Sequence, residues 1–344
     1  MTQKNLQGPL LVTGLPGVPG WNLFHWFKDR WPGLVVGVRP PANYKADVPG
    51  SVALEAEDSA GLEALFAKYH FSAVLDASGN CALRACECDP KLSHLLNCDF
   101  GVRVATLAKA YGAKLVRLSS DLVYSGADSH QGLYTEDEPT DPVTVYGASM
   151  AEAEKLILNI DPNCQLLRIP LPMGLTPGGH AGAVDWIEWR FRNGRPATLY
   201  FDELRSPIYK DDLGRVVEWI FSQGGLPNGK QMPGGIYHCG GPKHWSLYQI
   251  GQIINAVGAY DSNLLMGCPR HEAGPMPPRA GNVSIDCSKL LKVIPQNLIR
   301  PWPFDARLEP TSRDWHKTVD RMQWGGVHQV LPLLVDGMYF EEIQ

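Results

Sequence analysis

The chain of 344 residues contains no apolar run approaching the ~20 residues that a membrane span requires. Met1 to Gly8 is too polar for a secretory leader, so the cytosol is the expected compartment. A basic excess is also missing. Lys and Arg number 31 against 36 Asp and Glu, and a net charge of -5 gives nucleic acid or an anionic membrane little to hold. No internal repeat and no low-complexity linker interrupts the chain. Its eight cysteines show no pairing pattern and read as free thiols. Cys86 and Cys88 with His94 and Cys98 sketch a metal site, but Cys-x-Cys is tighter than zinc's usual spacing, so no metal is expected.

What is present is an alternation of short apolar runs and helical stretches. Leu10–Val12, Gly33–Val38, Val52–Glu55, Ala73–Asp76, Lys114–Leu118 and Gln165–Arg168 read as strands. Trp21–Arg30, Leu62–Lys68, Leu92–Tyr111 and Tyr146–Leu158 read as helices between them. This order predicts an α/β, Rossmann-type, doubly wound parallel sheet, with ligands at the carboxyl ends of the strands. Residues 8–170 form the expected dinucleotide-binding domain, its sheet completed by parts of 205–240. Beyond Pro170 the chain is richer in Pro, Gly and Trp, so 171–204 and 241–330 are assigned to a smaller substrate-binding lobe and 331–344 to a tail.

Thr13-Gly14-Leu15-Pro16-Gly17-Val18-Pro19-Gly20 follows the first strand directly. Gly14, Gly17 and Gly20 allow a tight turn that brings backbone close to a pyrophosphate, with the next helix presenting its amides to the charge. Ala77-Ser78-Gly79, after the fourth strand, is expected to complete this cradle. At the end of the second strand an acidic residue would bind the adenine ribose of NAD. Arg39 stands there instead, with Lys45 nearby, and an arginine suits the 2′-phosphate of NADP.

Tyr146-Gly147-Ala148-Ser149-Met150 has the outline of a catalytic tyrosine motif without its lysine. Positions 146 and 150 share a helix face, and an ammonium at 150 would favour the phenolate of Tyr146. The thioether of Met150 carries no charge and no donor. Lys155 lies about 140° further round the helix at ~100° per residue and faces elsewhere.

Ser119-Ser120-Asp121-Leu122-Val123-Tyr124-Ser125-Gly126 joins these motifs, as do Asp141 to Gly147, Glu154-Lys155, Arg205 to Leu213, Gly235 to His238 and Arg279 to Leu290. Together they resemble an extended short-chain dehydrogenase/reductase, and within that group the dTDP-4-dehydrorhamnose reductase family of sugar-nucleotide enzymes. The likeness spans roughly residues 10–292; the segment with Trp302, Trp315 and Trp324 matches nothing placed. The resemblance implies that Ser120 orients a substrate carbonyl, that Tyr146 exchanges the proton, and that the lysine of the motif has become Met150. A phenol near its ordinary pKa of ~10 is almost wholly protonated at neutral pH, which favours reduction of a ketone over oxidation of an alcohol. The resemblance thus implies a slow NADP(H)-dependent reductase of a 4-keto sugar nucleotide or similar carbonyl. A second implication stands beside it: a non-catalytic NADP-binding subunit, for which the regulatory subunit of methionine adenosyltransferase, similar to the same family, is a precedent. The expected partners are a nucleotide sugar and a second copy of the chain or a partner enzyme.

Overall fold

The computed structural model describes Leu6 and residues 8–127, 129–174, 176–177, 182–222, 232–274 and 276–300. The elements run β1 (Leu10–Val12), α1 (Val18–Arg30), β2 (Val35–Arg39), β3 (Ser51–Ala53), α2 (Ser59–Tyr69), β4 (Ala73–Asp76), α3 (Leu83–Cys88), α4 (Pro90–His94), α5 (Phe100–Ala110), β5 (Lys114–Ser120), α6 (Val145–Ile160) and β6 (Gln165–Ile169). There follow β7 (Pro172–Met173), α7 (Ala183–Arg192), β8 (Ala197–Tyr200), β9 (Leu204–Arg205), β10 (Ile208–Tyr209), α8 (Lys210–Ser222), β11 (Gly235–His238), β12 (Trp245–Ser246), α9 (Leu247–Val257), β13 (Leu265–Cys268) and α10 (Ser288–Leu291).

Seven strands make one sheet in the order β11-β6-β5-β4-β1-β2-β3, with every neighbouring pair parallel. Central strands are buried on both faces, which is why β1 and β4 read as unbroken apolar runs rather than alternating ones. Phe24 and Phe27 of α1 pack with Leu213, Val216 and Ile220 of α8 on one face. Phe66 of α2, Val104 of α5 and Ile157 of α6 cover the other. The order reverses direction between β1 and β4, and at that switch the carboxyl ends of the strands open a crevice.

Two expectations on boundaries are corrected. The helix expected over Leu92–Tyr111 starts two residues earlier, at Pro90, because Asp89 accepts from Leu92 N (3.0 Å) and caps it, and it widens into a π-turn over Leu95–Asp99 before continuing as α5. The first helix begins at Val18, three residues before Trp21, since Pro19 in its first turn is already in helical φ and needs no donor. A separate apolar cluster forms beyond β6, in which Ile187 and Phe191 of α7, Leu199 of β8 and Ile250 and Ile253 of α9 meet Trp245. The Trp302, Trp315 and Trp324 segment and the expected tail lie outside the described residues. Among the described residues no helix is long and apolar enough to cross a membrane.

Candidate functional site

The glycine loop is fixed by backbone. Gly14 has φ +71°, and a Cβ there would stand 2.1 Å from the carbonyl oxygen of Ala77. A Cβ on Gly20 would stand 2.0 Å from the carbonyl oxygen of Gly14. Both are therefore required by the chain packing against itself. Gly17 differs: its nearest clash is 3.4 Å, and it caps α1 without any side-chain hydrogen bond or first-turn acid. The first amides of α1 are thus left for an anion. Thr13 ties this loop to the one after β4 by donating to Asp76 Oδ1 (2.5 Å) and accepting from Ala77 N (3.2 Å). Ser78 binds the same oxygen through its backbone N (3.0 Å) and hydroxyl (2.6 Å). Gly79 follows with φ +148°, and a Cβ there would stand 3.0 Å from Asn97 Oδ1.

Arg39 ends β2 at the expected edge, but its guanidinium is partly spent. It pairs with Asp47 (2.8 Å) and donates to the carbonyls of Pro40 (3.4 Å) and Pro41 (3.3 Å). Asp47 is held below the usual carboxylate range, first by that hydrogen bond. Arg39 Nε is buried and has no hydrogen-bond partner among the described residues, so one donor remains for a ligand. Lys45 lies in the exposed turn that follows.

At the opposite side of the crevice, β5 ends in Ser120, and α6 starts beneath it because Thr144 accepts from Gly147 N (3.0 Å). Tyr146 and Met150 are both buried on one face of α6. Ser120 Oγ accepts from Leu122 N (3.1 Å), so its lone pairs are partly used in the turn. The Tyr146 phenol is pushed well up, first by burial and then by the Cys81 thiol, against the opposing pull of the Ser120 hydroxyl and the charge of Arg117. It stays protonated. Cys81 keeps accessible surface while protein surrounds it, as a residue lining a cleft does, and burial raises its thiol too. Lys155 is exposed on α6 and lines a shallow groove with Glu138, Thr140 and Leu158, away from Tyr146.

Two guanidiniums act on this phenol, and each is matched by a carboxylate. Arg117 of β5, 1% exposed, lies 2.8 Å from Asp76 Oδ2. Arg205 of β9 forks onto both oxygens of fully buried Asp121, next to Ser120. Neither pair was singled out in the sequence, although Asp76 and Arg117 are direct register partners on adjacent strands, an opposite-charge match in otherwise apolar runs.

The cysteine and histidine candidates do not converge as spaced. Cys86 turns toward the carbonyl of Asn80 (3.2 Å) in the apolar cluster around Tyr146, and Cys88 is exposed. His94 bridges Asp99 (3.2 Å) and Glu152 (3.3 Å), and the ligating atoms of His94, Cys98 and Glu152 lie within 4.8 Å of one another. Burial pushes the Cys98 thiol up to about 11.

Comparison with known proteins places these features. The family described as RmlD substrate binding domain matches residues 8–307. Methionine adenosyltransferase 2 subunit beta of Xenopus laevis is 26% identical over 320 residues, 90% of each chain. Among solved structures, dTDP-4-dehydrorhamnose reductase from Bacillus anthracis in complex with NADP aligns with TM-score 0.69 at 16% identity, covering 91% of this chain and 98% of that one. UDP-glucose 4-epimerase from Thermus thermophilus, complexed with NAD, aligns with TM-score 0.72 at 20% identity, covering 90% and 99%. At such identities the structures speak for the fold alone.

Proposed function

From the premise that the chain belongs to the RmlD substrate binding domain family, a group of extended short-chain dehydrogenase/reductases, we propose that it is a slow, atypical NADP(H)-dependent reductase of a 4-keto sugar nucleotide or a similar carbonyl. The observation that carries this reading is the meeting of Ser120 and a buried, protonated Tyr146 at the carboxyl end of β5, across the crevice from the glycine loop. The uncapped amides of α1 would hold the pyrophosphate, and Arg39 Nε the adenine-side phosphate. Residues 171–204 and the 241–300 segment would supply the sugar-nucleotide side.

The dinucleotide, when bound, supplies the hydride. Ser120 orients the carbonyl oxygen, and the Tyr146 phenol gives it the proton, so that hydride and proton together convert C=O to CH–OH. A phenol raised by burial remains a donor across the working range, but as a weak acid it gives up its proton slowly. Without a lysine at 150 the reverse reaction lacks its phenolate, so reduction is the favoured direction.

A second reading rests on the near full-length likeness to a subunit named as part of methionine adenosyltransferase 2: here the chain binds the dinucleotide without turnover and serves a partner enzyme. The two are separated by incubating the protein with NADPH and a panel of 4-keto sugar nucleotides. Slow NADPH loss, abolished by Tyr146→Phe with cofactor affinity retained, is expected of the reductase. That loss should not decline up to about pH 10, since raising the phenol's pKa delays its deprotonation. Absence of turnover from both proteins, with one stoichiometric partner recovered from the native host, would establish the subunit.

A further inference from the structure

Position 150 faces a cation already in place. Arg117 Nη2 points at Met150 Sδ (3.7 Å) and donates to the carbonyl of Asn97 (3.0 Å). Its Nη1 donates to the carbonyl (2.9 Å) and hydroxyl (2.8 Å) of Ser78. Ser78 and Thr13 both hold Asp76, which faces the guanidinium. The guanidinium therefore touches, in one buried cluster, the end of β4 and the loop after it, the turn of helix at Asn97, and the helix position one turn past Tyr146, and it reaches the glycine loop through Asp76 and Thr13. Space for it is made by Gly101 of α5, where a Cβ would lie 3.1 Å from Asp76 Oδ2 and 3.3 Å from Arg117 Cζ.

A lysine on α6 would bring its ammonium two atoms beyond the position of the methionine sulfur, into this guanidinium. Two cations facing a single carboxylate in a dry site repel strongly. One cation must go.

Resting on the reductase or dinucleotide-binding reading above, we propose that Arg117 is a positioning residue that has taken over the cation's place at the floor of the cofactor site, carried by β5 instead of α6, and that Met150 is its required uncharged neighbour. Arg117 holds Ser78, and through it the cradle, as a helix-borne lysine would hold the ribose end. Because Asp76 neutralises it, Arg117 keeps the floor in shape without restoring a phenolate at Tyr146. Adding back the lysine alone would then harm the protein, contrary to what the tyrosine motif by itself predicts.

The test is a double-mutant cycle on the full chain, read by thermal melting and by NADPH affinity. Met150→Lys alone should lower the melting temperature by roughly 10 °C, the scale of an unpaired buried charge in a chain of this size. Arg117→Met alone should weaken NADPH binding about tenfold or more. The double variant Arg117→Met/Met150→Lys should recover most of both losses, because the new ammonium can take Asp76. A Met150→Lys protein that melts within about 2 °C of the parent, or a double variant no better than the sum of its singles, overturns the proposal. If either single variant fails to fold, a folded double variant supports it and an unfolded one overturns it. Should the parent itself bind no nicotinamide dinucleotide, the functional reading fails while the melting cycle still decides whether residues 117 and 150 share one cation.

Discussion

The two sides of the crevice are built from different materials. At the glycine loop the backbone sets the shape: Gly14 and Gly20 let loops close to within contacts that no Cβ could enter, and the Thr13 side chain ties the closed loop to Asp76. At the β5–α6 side the backbone is ordinary and buried charge sets the shape, with Arg117 against Asp76 and Arg205 against Asp121 around one phenol. The difference teaches where change is tolerated. A backbone-built cradle resembles a fixed mould, whereas a charge-built centre can move its cation from one element to another as long as the count of charges is kept.

The comparison breaks first at Arg205. If buried charge shapes this side, Arg205→Met should strand Asp121 in a dry site and destabilise the protein by about 3–5 kcal/mol, measured by denaturant unfolding. Asp121→Asn combined with Arg205→Met should lose much less, since a neutral amide is cheaper to bury than a lone carboxylate. Equal losses in the two proteins would mean that packing, not charge, shapes the centre.

The glycine side answers with a within-loop contrast. Gly14→Ala meets both a left-handed φ and an immovable carbonyl 2.1 Å away, for a destabilisation of about 2–4 kcal/mol. Gly17→Ala, with its neighbour at 3.4 Å and an ordinary φ, should stay within about 0.5 kcal/mol in stability while weakening the dinucleotide. If Gly17→Ala destabilises as much as Gly14→Ala, the loop's middle glycine is structural as well and is not reserved for an anion.

This contrast also explains what could be read from the chain. The Rossmann sheet was legible because its signals are local: β1 and β4 are apolar runs at the expected residues, and a glycine needing φ +71° writes itself into the sequence as a glycine. Ser120, Tyr146 and Met150 stood out as candidates for the same reason, being parts of short motifs. The π-turn before α5 was not legible, since the backbone stays helical through Leu95–Asp99 and only the hydrogen-bond register tells the wider turn from an ordinary one. The charge pairs were not legible either, because Asp76 meets Arg117, and Asp121 meets Arg205, across 41 and 84 positions of sequence. Their partnership depends on strand order, which no local pattern carries. Arg39 shows the limit from the other direction: its place at the end of β2 was readable, but its pairing with Asp47 was not.

That pairing gives the finest test, because Arg39 is where the backbone-built side borrows a charge. Removing it with Arg39→Ala should weaken NADP by about 1.5–3 kcal/mol, the range for a hydrogen bond to a charged group, and leave NAD nearly unchanged in calorimetry. Asp47→Asn should act in the opposite sense and more weakly. An exposed partner competes with a 2′-phosphate only modestly, so relieving the guanidinium of Asp47 should tighten NADP about two- to fivefold at low salt and leave NAD alone. The gain should fade as ionic strength rises, since an exposed pair is screened within roughly 10 Å at 0.1 M salt. If Asp47→Asn loosens both dinucleotides equally, Asp47 is holding Arg39 in its binding pose rather than competing for it, and the adenine side of the crevice, like the tyrosine side, is organised by a matched pair of charges.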